Sequence, residues 1–254
     1  MHIITLITDF GAQDYYVALL KGHLLQVAPS TNIIDITHHI TPHDIMEGAF
    51  FLKSVYERFP KGTIHVVGVH TYYDKRSRLI LLEHGGHYFI GPNNGLFSLA
   101  LTDIDLDEIY EIADQDILDL YDVIANAVQG ITVKSPFHLI GKRTKHFDRK
   151  LSLQPVVNQE QIRATILHID HFGNVIVNLS KETFERIRGD RNYAIYYKSQ
   201  EPIVKLSRKY NDVQIGDVCA FFTSINMLEI AVHTGNAHQL LSLNKNETIQ
   251  IDFF

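Results

Sequence analysis

Thiol chemistry is nearly absent from this chain of 254 residues. Its single cysteine, Cys219, allows no intrachain disulfide, and the neighbours Val218, Ala220 and Phe221 mark it as a buried, inert thiol. Long apolar runs are missing as well. Stretches such as residues 3–7, interrupted by Thr5, fall far short of the ~20 apolar residues that a membrane span requires, so no membrane partner is expected. The start, MHIITLITDFG, has neither a basic leader nor a small-residue cleavage site, which predicts a cytoplasmic protein. Positive charge is scarce: the net charge is -6 and no basic run extends beyond residues 142–150, so the electrostatic footprint of a nucleic-acid binder is missing. With only 7 Pro and 15 Gly against 45% hydrophobic residues, a collagenous or disordered chain is excluded. What is abundant is histidine, 15 in all, several beside Asp or Thr, where a small-molecule or metal site can form.

The first half alternates strand and helix signals. Strand patterns at residues 3–8, 32–36, 63–69, 79–83, 87–90 and 108–112 are interleaved with helical spacing at 14–27, 44–59, 95–101 and 119–129. The fourth and fifth strands read as a hairpin across His84, Gly85 and Gly86. This alternation predicts an α/β domain over residues 1–150 with a mostly parallel central sheet. Beyond residue 135 the rhythm changes to short strands at 162–170, 174–178, 192–197, 218–223, 228–232 and 248–251, with few helices. A smaller all-β, barrel-like domain over residues 160–254 follows.

Four segments carry polar chemistry. Asp9 follows the first strand, and ligands gather at the carboxyl ends of strands in open α/β sheets. Asp9 is therefore placed either to accept hydrogen bonds from a ribose diol or to cap the following helix. His38, His39, His43 and Asp44 offer three imidazoles and a carboxylate within seven residues, enough for a metal if the loop folds back on itself; as capping groups, His43 and Asp44 suit the next helix equally. Asp170, Phe172, Gly173 and Asn174 group an acid, an aromatic and an amide around a turn, fit for an amino acid or a purine, or for a plain Asx turn. The segment Leu228-Glu229-Ile230-Ala231 reads as strand without evident chemistry.

In this order the segments resemble one family. Thr8-Asp9-Phe10-Gly11 with Asp14-Tyr15-Tyr16-Val17 and Lys21-Gly22, Ile36-Thr37-His38 with Ile40, Pro42, Asp44 and Ile45, and Gly48-Ala49 are its first motifs. Phe59-Pro60 with Gly62-Thr63, Gly91-Pro92-Asn93-Asn94-Gly95-Leu96, Asp170-x-Phe172-Gly173-Asn174 and Leu228-Glu229-Ile230-Ala231 complete the set. Together they look like the S-adenosylmethionine hydrolases related to fluorinase and chlorinase, over essentially the whole chain. The resemblance implies an amino-terminal α/β domain, a carboxyl-terminal β-barrel and a homotrimer that binds S-adenosylmethionine between neighbouring subunits. It implies that Asp9 holds the ribose hydroxyls and Asp170 the methionine ammonium, with Phe172, Asn174 and Ser224 lining the ligand. The implied reaction is attack of water at C5′, giving adenosine and methionine without metal or cofactor.

The chain departs from that pattern where the water is handled. The hydrolases carry Val-Val-Asp-Pro-Gly-Val-Gly, then paired arginines and a later His, and the resemblance makes that Asp, one Arg and that His the catalytic set. Here His70 stands at the Asp position, Ser77 and Arg78 at the arginines, and Asp119 at the His. If His70 and Asp119 face each other, a carboxylate orients an imidazole that takes a proton from water, with Arg78 nearby. If they do not, the protein is a non-catalytic binder of S-adenosylmethionine or adenosine. A metal-dependent hydrolase built on His38, His39, His43 and Asp44 is the third reading.

Overall fold

A computed structural model describes residues 2–72, 78–113, 119–198 and 201–254. The chain divides into two units, Met1–Leu151 and Ser152–Phe254. The first runs β1 (Ile3–Thr8), α1 (Tyr16–Val27), β2 (Asn32–Thr37), α2 (Ile45–Val55), β3 (Ile64–Gly68), β4 (Leu79–His84), β5 (His87–Pro92), α3 (Leu96–Ala100), β6 (Ile109–Ala113), α4 (Leu120–Thr132), α5 (Phe137–Ile140) and β7 (Lys142–Arg143). The second runs β8 (Val156–Val157), β9 (Gln161–Ile169), β10 (Val175–Ser180), α6 (Lys181–Arg188), β11 (Tyr193–Tyr196), β12 (Val218–Phe222), β13 (Met227–Val232), α7 (Ala237–Leu240) and β14 (Thr248–Phe253).

The first sheet has the order β2-β1-β3-β5-β4-β6-β7. From β2 to β5 every pairing is parallel, and from β5 to β7 every pairing is antiparallel. The sheet is thus mixed and not mostly parallel. The cause is the β4–β5 hairpin: Gly85 and Gly86 both take positive φ, +58° and +79°, in a tight turn that sends β5 back beside β4. Strand alternation sorts side chains to two faces. Ile4, Leu6, Ile64 and Val66 meet Leu20, Leu24, Ile124 and Val128 of α1 and α4. Ile7, Val67, Ile80 and Phe89 meet Ala49, Leu52, Leu96 and Phe97 of α2 and α3.

The second unit is a curled antiparallel half-barrel sheet in the order β11-β14-β9-β10-β13-β12, with β8 on β9. Residues Ile162 to Thr165 of β9 pair with β14, and Ile166 to Ile169 pair with β10, so one strand carries the sheet round the bend. Helix α6, absent from the sequence reading, is capped by Ser180, whose Oγ accepts from Thr183 N at 3.2 Å, and it drives Phe184 into the core. Among the described residues no helix is long and apolar enough to cross a membrane.

Candidate functional site

The carboxyl ends of the adjacent parallel strands β2, β1 and β3 converge, and Asp9 sits at their centre. It does not cap α1, which starts at Tyr16 behind Tyr15 without a side-chain cap. Its Oδ2 instead accepts from the backbone N–H of His43 and of His70, both at 3.0 Å. Both histidines occupy left-handed backbone, φ +67° and +49°, a conformation costing roughly 1–2 kcal/mol for a residue with a Cβ. One carboxylate oxygen thus pins two strained loops. Both of these side-chain hydrogen bonds fall on Oδ2, while the Asp9 backbone N–H donates to Gly68 O at 3.3 Å.

Asn94 fixes the same loop from the other side. Its Nδ2 donates to Val69 O at 3.0 Å and to His70 O at 3.2 Å, while Oδ1 accepts from Leu96 N at 3.1 Å. Sequence reasoning treated Asn94 as part of a turn and missed this role; the signal was the paired asparagines between Pro92 and Gly95.

Asp9 also lines a cavity of about 410 Å³ with Phe10, Tyr16, Tyr72, Asp119, Leu120 and Tyr121. Two carboxylates and four aromatic rings make a lining suited to a cationic ligand. Burial and then the Asp119 carboxylate push the Tyr72 phenol up, so it stays a proton donor. Asp119 caps α4, its Oδ1 accepting from Tyr121 N at 2.8 Å and Asp122 N at 3.2 Å. The His70 ring packs against that of His43, with centroids 4.8 Å apart. Arg78 Nε lies 3.4 Å from Glu111 Oε2. The structure therefore joins Asp9 to Asp119 by the cavity wall and Asp9 to His70 by a backbone bond, and holds Arg78 on β6. Ser77 lies outside the described residues.

The histidine-rich loop disperses. His38 is buried, with Nδ1 2.8 Å from Thr8 Oγ1 and Nε2 3.2 Å from Asp35 Oδ1. Asp44 caps α2, accepting from Met46 N and Glu47 N, and His39 is exposed. Among the described residues no group of three or more His, Cys, Asp or Glu is gathered to hold a metal ion.

In the second unit Asp170 closes the turn between β9 and β10. Its Oδ1 accepts from Phe172 N at 2.9 Å and Asn174 N at 2.8 Å, and its Oδ2 accepts from Asn174 Nδ2 at 3.0 Å. Phe172 is 72% exposed, whereas Asn174 is buried. Ser224 lies exposed in the β12–β13 turn.

Comparison with known proteins covers both units. Residues 4–141 match the model of the SAM hydroxide adenosyltransferase N-terminal domain, and residues 164–250 match that of the C-terminal domain. An (R)-S-adenosyl-L-methionine hydrolase of Methanocaldococcus jannaschii is 28% identical over 99% of this chain and 96% of its own. One of the same name from Thermus thermophilus is 26% identical over 99% of this chain and 100% of its own. A fluorinase of Nocardia brasiliensis is 25% identical over 73% of each chain. An uncharacterised conserved protein of Thermotoga maritima shares the fold, with a TM-score of 0.83 at 24% identity, over 99% of this chain and 100% of that one. The chain belongs to the S-adenosylmethionine hydroxide adenosyltransferase family.

Proposed function

We propose that this protein hydrolyses S-adenosylmethionine to adenosine and L-methionine. The observation that carries the reading is Asp9, a carboxylate fixed through one oxygen at the carboxyl end of β1, beside a cavity walled by aromatic rings and a second acid. Its other oxygen suits the O–H donors of a ribose, and the aromatic faces suit a sulfonium. Similarity along the whole chain to proteins named as S-adenosylmethionine hydrolases supports the same reaction.

In the displacement the water oxygen bonds to C5′ as the C5′–S bond breaks. The electron pair stays on sulfur, the sulfonium leaves as the neutral thioether of methionine, and a water proton passes to a base. Because the substrate brings its own leaving group, neither metal nor cofactor is required. In this reading His70 takes the proton, Asp119 orients it directly or through one water, and Arg78 supplies positive charge nearby. Asp170 receives the methionine ammonium, and Phe172, Asn174 and Ser224 line the ligand. The protein works in the cytoplasm as a homotrimer, each ligand held between the first unit of one subunit and the second unit of its neighbour; the family resemblance supports this. Incubation with S-adenosylmethionine, followed by chromatography, is expected to give adenosine and methionine in equal amounts. Intact S-adenosylmethionine recovered from a tight complex would instead establish a binder without turnover.

A further inference from the structure

His70 stands in left-handed backbone, φ +49°, which a residue with a Cβ rarely adopts, so the direction of its imidazole depends on what holds the chain on either side. Two peptide planes meet at its Cα. The first carries Val69 O and His70 N, and the second carries His70 O. Asp9 Oδ2 takes the His70 N–H at 3.0 Å and so holds the first plane by one end. Asn94 Nδ2 donates to Val69 O at 3.0 Å, which holds that plane by its other end, and to His70 O at 3.2 Å, which holds the second. A carboxylate only accepts and cannot fasten a carbonyl, so of these two side chains the second plane falls to Asn94.

Asn94 itself cannot turn over. Its Oδ1 accepts from Leu96 N at 3.1 Å, and a flip would set that oxygen against two carbonyl oxygens and the amide hydrogens against the Leu96 N–H. The residue is 5% exposed, so bulk water does not stand in for these bonds.

We propose that Asn94 is a positioning residue for the hydrolysis: by holding both peptides that flank the His70 Cα, it sets φ and ψ there and aims the imidazole at the water it deprotonates. The inference rests on the S-adenosylmethionine reading, in which His70 is the base. The His43 ring, whose centroid lies 4.8 Å from that of His70, is a gauge of that aim which needs no turnover.

Asn94→Asp tests it, because the carboxylate keeps an acceptor for the Leu96 N–H and loses the donors that hold Val69 O and His70 O. Its kcat for adenosine release is expected to fall about 10- to 100-fold, the scale of a reacting group misplaced by about 1 Å. Its Kd for S-adenosylhomocysteine, a thioether that cannot be hydrolysed, should stay within about threefold of wild type. Crystal structures should show the His43–His70 ring contact in the wild type and its loss in the variant. Asn94→Ser, whose hydroxyl can form the same local turn with Leu96 N but is too short to span both carbonyls, carries the test if the acidic variant does not fold. Asn178 in the second unit is the control, a buried asparagine whose Oδ1 accepts from Thr165 N at 2.6 Å and whose Nδ2 donates to Leu153 O at 2.8 Å. Asn178→Asp should lower the urea midpoint and keep kcat within about twofold. A folded Asn94 variant that keeps the ring contact, loses affinity by as large a factor as kcat, or loses no more kcat than Asn178→Asp would overturn the proposal. If the wild type releases no adenosine, loss of the ring contact in the variant still supports the hold on His70 and sinks the hydrolase reading alone.

Discussion

At the scale of single residues, Asp9 fastens two loops in the structure and holds the ribose in the proposed reaction, and the two roles separate experimentally. Its Oδ2 holds two left-handed loops, so Asp9→Ala should cost about 1–3 kcal/mol of stability in urea, and the loss of a ribose acceptor should weaken adenosyl ligands roughly fivefold to a hundredfold by calorimetry. A folded mutant with undiminished affinity would leave Asp9 as a loop fastener only. His70 carries the chemical claim. His70→Ala should cut adenosine release about 10²–10⁴-fold while affinity changes little, the pattern of a group that acts in the transition state; equal losses in both would assign His70 to binding. Asp9, Asp170 and Asn174 were legible in the sequence because each sits in a short motif beside a strand end. Tyr210, whose hydroxyl lies 3.5 Å from Asn174 Nδ2 and donates to the buried Glu229 at 2.7 Å, was not, since it comes from a single 3-10 turn 36 positions away, and nothing in the alternation of β13 distinguishes Glu229 as an acid facing inward.

At the scale of elements, hydrophobic periodicity placed most strands and helices of the first unit, and the glycine pair gave the β4–β5 hairpin. The sheet was still misread as mostly parallel, because what one hairpin does to the strands beyond it depends on pairings that local pattern does not contain. Helix α6 escaped because its polar sequence, KETFERIR, buries Phe184 but little else. A second hidden feature lies across β1, β3 and β5. Thr5 Oγ1 is 2.7 Å from His65 Nδ1, and His65 Nε2 is 3.2 Å from His87 Nδ1, among Tyr56, Phe59 and Phe89. Burial first, then His87, pushes the His65 imidazole down to about 3, and burial lowers His87 too. The folded protein keeps both rings neutral, whereas the unfolded chain protonates near pH 6.5. Stability is therefore full above about pH 6.5 and declines toward pH 3, with a loss of about 3 kcal/mol expected by pH 4. The chain has no tryptophan, so circular dichroism in urea is the suitable probe. Replacing both histidines with leucine should flatten the acid limb; an unchanged slope would place the titration elsewhere.

At the scale of the whole molecule, the proposed ligand contacts are divided: Asp9, His70 and Asp119 belong to the first unit, Asp170, Asn174 and Ser224 to the second. A ligand that touches both sets has to bridge units, either within one chain or between neighbouring subunits of a trimer, and mixing two binding-impaired variants, assayed at S-adenosylmethionine well below saturation, tells these apart. Asp9→Ala removes the first-unit anchor, and Asp170→Ala removes the second. Each variant alone offers no intact site under either arrangement. In hybrid trimers formed by refolding an equal mixture, a boundary whose first unit comes from an Asp170→Ala chain and whose second comes from an Asp9→Ala chain is wild-type at both positions. Random assembly produces such boundaries at roughly a quarter of the sites, so about that fraction of wild-type adenosine release should return, in a species with three chain masses by light scattering. If both anchors of each site belong to one chain, every chain in the mixture stays defective and mixing restores nothing. Zero recovery from a mixture whose mass confirms a hybrid trimer would therefore refute the shared site, and a monomer that binds S-adenosylmethionine tightly would refute the trimer with it.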